Sequence, residues 1–186
     1  MVFLWKLSDD FPDRLYGKYN HQRGPDRFIF WKGKDIPRGL PMPEFRFGAA
    51  AKALMTWDGL GNDVGLPLVS AKVAEVLSEI AANDVRFIDA KVVSRDKAMG
   101  GWAVLNPLES VEAIDREACD FWLIPGTQKI GGFRRLRVNG NCLGDRHIAR
   151  DADYLPHIWV DLEVKLNLEK SGARGIGFVP PEEYLK

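Results

Sequence analysis

Pro67-Leu68-Val69-Ser70-Ala71-Lys72-Val73-Ala74-Glu75-Val76-Leu77-Ser78-Glu79-Ile80-Ala81-Ala82-Asn83-Asp84-Val85-Arg86-Phe87-Ile88-Asp89-Ala90-Lys91-Val92-Val93 changes its hydrophobic period partway along. Val73, Val76, Leu77 and Ile80 recur at i, i+3, i+4 and i+7, which places them on one face of a helix, with Lys72, Glu75 and Glu79 off that stripe. Ser70 stands where an N-cap hydroxyl would accept an orphan backbone N–H. After Asn83-Asp84 the period becomes two: Arg86, Ile88, Ala90 and Val92 alternate with Val85, Phe87 and Asp89, the pattern of a strand. The spacing therefore predicts a helix over about 70–83 followed at once by a strand over 85–93.

Working outward toward the C-terminus, short strand candidates follow closely. Asp96–Gly101 reads as a turn, and Trp102–Leu105 as a strand stopped by Asn106-Pro107. Val111–Ile114, Phe121–Ile124 (ended by Pro125-Gly126) and Phe133–Val138 (ended by Asn139-Gly140) continue the series. Such short spacing favours an antiparallel meander. A second helix is expected over about 161–171, with Leu162, Leu166 and Leu168 on its apolar side and Gly172 just past its end. Residues 175–180 close the pattern as a strand. Helix, strands, helix, strand is α+β: a largely antiparallel sheet with two main helices packed on it.

Toward the N-terminus the texture differs. Residues 1–65 are rich in proline, glycine and aromatics. Phe28–Trp31 is a short strand candidate. Pro37, Pro41 and Pro43 forbid a helix and remove ladder donors, so 36–43 is expected as an extended surface segment. Gly59, Gly61, Asn62, Asp63 and Gly65 mark a loop. At 186 residues one domain is the expectation, residues 1–65 forming an irregular part and 66–186 a regular core.

Charge narrows the function classes. Lys plus Arg and Asp plus Glu number 26 each, whereas phosphate neutralisation gives nucleic-acid binders a basic excess. No run approaches the ~20 apolar residues of a membrane helix, and the first ten residues lack a signal-type apolar core. The expectation is a cytoplasmic protein with no nucleic-acid or membrane partner. Cys119 and Cys142 form neither a C-x-x-C pair nor a disulfide framework, and read as small apolar residues.

The motifs of common chemistry are missing. There is no G-x-x-x-x-G-K-[ST] loop, and Gly172, Gly175 and Gly177 follow a helix and are out of register for a dinucleotide fingerprint. No G-x-S-x-G elbow occurs. A Cys119–His147 nucleophile pair would need an activated thiol. Asp151 with Asp153, and Asp115, Glu117 and Asp120, could hold a cation or do acid–base work, but acids in turns usually accept backbone N–H bonds. No catalytic residue, cofactor or metal is therefore expected. Two stretches suggest protein contact instead. Arg135 and Arg137 share one strand face, Arg134 the other. Trp31, Arg38 and Arg46 lie among prolines and aromatics, and Trp and Arg are enriched in interface hot spots. Phe45 and Trp57, in the same stretch, read as core.

The ordered set Pro67–Ser70, Asp84-Val85-Arg86-Phe87, Trp102–Asn106, Val111–Arg116, Ile158-Trp159-Val160 and Gly172-x-x-Gly175-x-x-Phe178 resembles a known family. It is similar to the bacterial polymorphic-toxin immunity family typified by a myxobacterial immunity domain. The likeness covers about residue 30 onward. One departure is Cys119, near a place where family members usually carry Ser. The resemblance implies a protein that binds a cognate toxin, encoded in the neighbouring gene, and neutralises it by a tight complex without chemistry of its own. An interaction module with a non-toxin partner, or a small Cys/His enzyme, are the alternatives. A homodimer is permitted but not required.

Overall fold

The computed structural model describes residues 1–184. In chain order its strands are β1 (Val2–Leu7), β2 (Gly17–Tyr19), β3 (Glu44–Phe47), β4 (Gly59–Leu60), β5 (Leu68–Ser70), β6 (Val85–Val93), β7 (Ala98–Pro107), β8 (Ser110–Val111), β9 (Asp120–Leu123), β10 (Ile130–Arg135), β11 (Ile148–Asp151), β12 (Ile158–Asp161) and β13 (Ile176–Val179). The helices are α1 (Ala51–Leu54), α2 (Ala71–Ile80) and α3 (Leu162–Lys170). The fold is α+β, with mixed, mostly antiparallel sheets.

Three sheets result. A six-stranded sheet runs β2-β3-β6-β7-β5-β4, a five-stranded sheet runs β13-β1-β12-β11-β8, and β9 with β10 forms a two-stranded hairpin. β6–β7, β9–β10 and β11–β12 are antiparallel neighbours in sequence, as a meander would give. The meander does not extend further. β8 joins β11 in parallel and β3 joins β6 in parallel, so long connections cross between sheets. β1 inserts between β12 and β13, with Leu4 opposite both Trp159 and Val179.

Period-two alternation splits the five-stranded sheet into two cores. Phe3, Ile148, Ile158 and Val160 face α2 and α3, alongside Val69, Val85 and Leu105 of the other sheet. Val2, Leu4, Ala149 and Trp159 face the β9–β10 side, with Ile130, Phe133 and Leu136. A sheet covered on both faces has no polar face, hence the unbroken apolar runs Val2-Phe3-Leu4 and Ile158-Trp159-Val160. A third core, containing Phe30, Phe45, Leu54, Trp57, Val92 and Val104, packs the N-terminal segments on the six-stranded sheet.

α2 follows from its stripe. Val73 and Leu77 are fully buried, each worth roughly 1.5–3 kcal/mol, while Val76 and Ile80 are half-buried. Ser70 occupies the N-cap position but makes no cap bond. Its hydroxyl donates to Asp58 Oδ1 at 2.9 Å instead, a carboxylate being the stronger acceptor. α3 is capped at both ends. Asp161 Oδ1 accepts the Val164 N–H at 2.9 Å. Gly172 (φ 68°) turns left-handed, and its N–H and that of Ala173 return to Glu169 O and Leu168 O, a Schellman closure. The apolar side of α3 is Val164 and Leu168. Leu162 and Leu166 are 43% and 51% exposed, because i, i+4 pairs lie above one another and only the 164/168 pair meets the core.

Several local expectations shift: β7 starts at Ala98, inside the expected 96–101 turn, and runs through Pro107, and β10 spans Ile130–Arg135 in place of Phe133–Val138. Arg27–Trp31 is a 3-10 helix, because the Asp26 carboxylate accepts the Phe28 N–H and closes a turn. Val111–Ile114 shortens to Ser110–Val111, with Ile114 making only an isolated bridge to Val138. The 36–43 segment has neither helix nor strand, as its prolines require. Gly59 and Gly175 bring the β4 edge of one large sheet against the β13 edge of the other, backbone to backbone. The Gly59 N–H donates to Arg174 O at 2.9 Å, and a Cβ on Gly175 (φ 86°) would overlap Gly59 O.

Candidate functional site

Cys119, His147, Asp115, Asp151 and Asp153 are each held by neighbours. Cys119 Sγ accepts the Arg137 N–H at 3.1 Å and donates to Arg137 O at 3.2 Å. Burial pushes its thiol pKa up, away from thiolate. His147 Nδ1 lies 2.9 Å from Asp161 Oδ2, so thiol and imidazole are committed to different partners. Asp151 is fully buried. Its Oδ1 accepts the N–H groups of Asp153 (2.8 Å) and Tyr154 (2.9 Å), and its Oδ2 accepts Trp159 Nε1–H at 2.8 Å. Asp153 forks with Arg116 at 2.8 and 2.9 Å, which holds its carboxyl below the usual range. Asp115 Oδ1 accepts the N–H groups of Glu117 and Ala118 in a turn. The cleft beside β1 and β4, lined by Trp5, Leu7, Tyr16, Leu60, Pro156 and Gly175 among others, contains no Cys, His, Asp or Glu.

One cluster of metal-ligand types exists among the described residues: His147, Asp161 and Glu163. Asp161 is already the cap of α3, and a cation there would face the positive end of the helix. An imidazole–carboxylate pair accounts for the geometry.

Two buried polar groups stand out that no sequence pattern singles out. Arg150 is 2% exposed. It donates to Leu155 O at 2.6 Å and Phe30 O at 3.4 Å, and burial lowers its pKa to about 10. It pins the 3-10 segment to β11. His157 is 3% exposed with neither ring nitrogen hydrogen-bonded. Its ring stacks on Phe133 (5.5 Å) and meets Tyr154, Trp159 and Tyr184 edge-on at 4.6, 5.5 and 4.9 Å. Burial lowers its pKa to about 4.

The candidate contact residues sit on separate elements. Trp31 is half-buried against Phe28, ring centroids 5.0 Å apart. Phe28 is 49% exposed, with the Arg27 guanidinium 4.9 Å above it. Arg38 is exposed on the proline segment. Arg46 is engaged within the chain, its Nε donating to Glu44 Oε1 at 2.8 Å. Glu44 is a buried strand carboxylate also held by Asn20 (2.8 Å) and Lys91 (3.1 Å). Hydrogen bonds from Asn20 and Arg46, then Lys91, hold its pKa down at about 2. Arg135 and Arg137 are exposed on either side of buried Leu136. Arg134 does not take the opposite face. A register shift between Phe133 and Arg135 leaves it as an extra residue, so Arg134 and Arg135 both reach solvent. Beside them lies a group that sequence reasoning missed: Trp122, Leu123 and Ile124, 47%, 38% and 45% exposed. The only advance signal was a Trp facing a Gly-Gly pair across a hairpin.

A chain with this fold matches a sequence model of an immunity-protein family over residues 9–183. The chain belongs to the Imm11 immunity protein family, and membership implies neutralisation of a toxin. No curated protein matches the chain. Among the described residues no helix is long and apolar enough to cross a membrane.

Proposed function

We propose that this protein neutralises one cognate toxin in the cytoplasm of the cell that makes both, by forming a tight one-to-one complex and catalysing nothing. The observation that carries the reading is the family match across residues 9–183. Support comes from the bonding of Cys119, His147, Asp151 and Asp153, whose hydrogen bonds hold turns and rings. A complex of this kind buries about 1,200–2,000 Å² and gains association rate from complementary charge. Trp31 and Arg38 on one side, and Arg135 and Arg137 on another, are the candidate contacts. Arg46 is the weaker candidate, because Glu44 already engages it. Residues 1–186 act as one unit in this reading, since β1 and β3 of the N-terminal part lie in sheets completed by later strands.

Co-expression with the toxin gene next to its own tests this. Growth should be rescued, and the two purified chains should co-elute as a heterodimer on gel filtration. Continued toxicity without co-elution refutes the proposal.

A further inference from the structure

The β9–β10 hairpin is built like half of an interface. Ile130, Phe133 and Leu136 point inward and are 2–5% exposed. The base is tied down by Asp115 N–H to Arg137 O (3.0 Å) and Asn139 N–H to Ala113 O (2.9 Å). The outward face carries Trp122 and Ile124, both against Gly131, with exposed Leu123 between them at the hairpin edge and exposed Lys129, Arg134, Arg135 and Arg137 on the same hairpin. Residues 120–137 hold these four cations against one carboxylate, Asp120, in a chain whose Lys plus Arg and Asp plus Glu are equal overall at 26 each. Asp120 is engaged by Arg134 at 3.4 Å. Among the described residues Lys129, Arg135 and Arg137 have no carboxylate within ion-pair distance.

Trp122 is held in place. Its indole lies across Gly131 and Gly132: a Cβ on Gly131 would come within 2.8 Å of the ring, and one on Gly132 would overlap it. The Arg134 guanidinium sits 5.9 Å from the ring centre. A large aromatic fixed before binding loses little freedom on docking. Trp and Arg at the middle of an apolar patch are the residues on which binding energy concentrates. Three consecutive apolar side chains call for an apolar partner surface, which a phosphate backbone does not offer, and arginine forks match carboxylates.

We infer that the outward face of the β9–β10 hairpin, centred on Trp122 and flanked by Arg135 and Arg137, is the surface that docks an acidic, apolar-centred face of the toxin. The inference rests on the toxin-neutralising reading above.

The experiment is titration calorimetry and surface-immobilised kinetics of the full-length protein against the neighbouring gene's toxin, inactivated at its active site. Trp122→Ala should weaken binding by at least about tenfold. Arg135→Glu with Arg137→Glu should weaken it by about ten- to a hundredfold and flatten the dependence of the association rate on salt. Circular dichroism and melting curves check that each variant folds. Arg135 and Arg137 are exposed and neither belongs to the buried core, so the charge pair decides the matter if Trp122→Ala unfolds. Wild-type affinity and salt dependence in the folded charge variant overturn the inference while leaving the toxin reading intact. Absence of any wild-type complex removes both. A concentration-dependent homodimer dispersed by Trp122→Ala, or salt-sensitive retention of DNA by the hairpin, also overturns it.

Discussion

Acidification should loosen this protein through His157 in particular. The imidazole is enclosed by four aromatic rings with both nitrogens unpartnered, so its charged form has no compensation. It protonates at about 4 in the folded protein against 6.5 for an ordinary histidine. Between those values the unfolded chain binds more protons than the native one, so stability is full above pH 6.5 and falls as pH drops toward 4. From these two values the loss is about 2 kcal/mol by pH 5 and roughly 3 kcal/mol below pH 4. Asp151, whose pKa burial raises, works in the opposite sense near its own titration. Glu44, held at about 2, adds to the loss only below 4.5. The window from pH 7.5 to 5 therefore isolates the histidine best. Urea unfolding of the wild type and of His157→Phe across that window is the assay. Every group common to the two proteins cancels in the difference. The wild type should lose about 2 kcal/mol relative to the variant between pH 7.5 and 5. Parallel curves would refute the argument that this ring is buried uncharged.

Other substitutions probe the joints of the fold. Gly175→Ala should cost at least about 2 kcal/mol in thermal or urea unfolding, since it sets a side chain at φ 86° against Gly59 O. Asp151→Ala should cost about 2–4 kcal/mol by orphaning Trp159 Nε1–H and two turn N–H groups, and near-ultraviolet circular dichroism should report the loosened indole. Glu44→Gln leaves Arg46 and Lys91 facing each other without their carboxylate. It should lower the urea midpoint at pH 7 and shrink the acid-induced loss between pH 4.5 and 2, where the wild type gives up this interaction.

Parts of the architecture were open to reading because the pattern was local. The 73/76/77/80 stripe needs only a helix to explain it, and α2 and β6 are where that stretch placed them. The Gly172-x-x-Gly175-x-x-Phe178 set has a physical content that the structure supplies: a helix closure, a backbone-to-backbone approach, and a ring packed edge-on against Trp5 at 5.6 Å. What stayed hidden depended on distant neighbours. β1 carries no alternation, because both faces of its sheet are covered. Phe28–Trp31 looks β-like in composition, and one Asp26 hydrogen bond turns it helical. Cationic density made Arg135 and Arg137 visible as candidates. Trp122 was not, since its outward pose is set by glycines across the hairpin. The burial of His157 and Arg150 is fixed by residues far away in the chain.

The strand β1 lies between β12 and β13, more than 150 residues further along. On a ribosome β1 must wait, unpaired, until β12 and β13 have emerged. Such distant pairing is slow to form. The five-stranded sheet therefore closes only once residues 158–179 have left the ribosome, however early β1 itself was made.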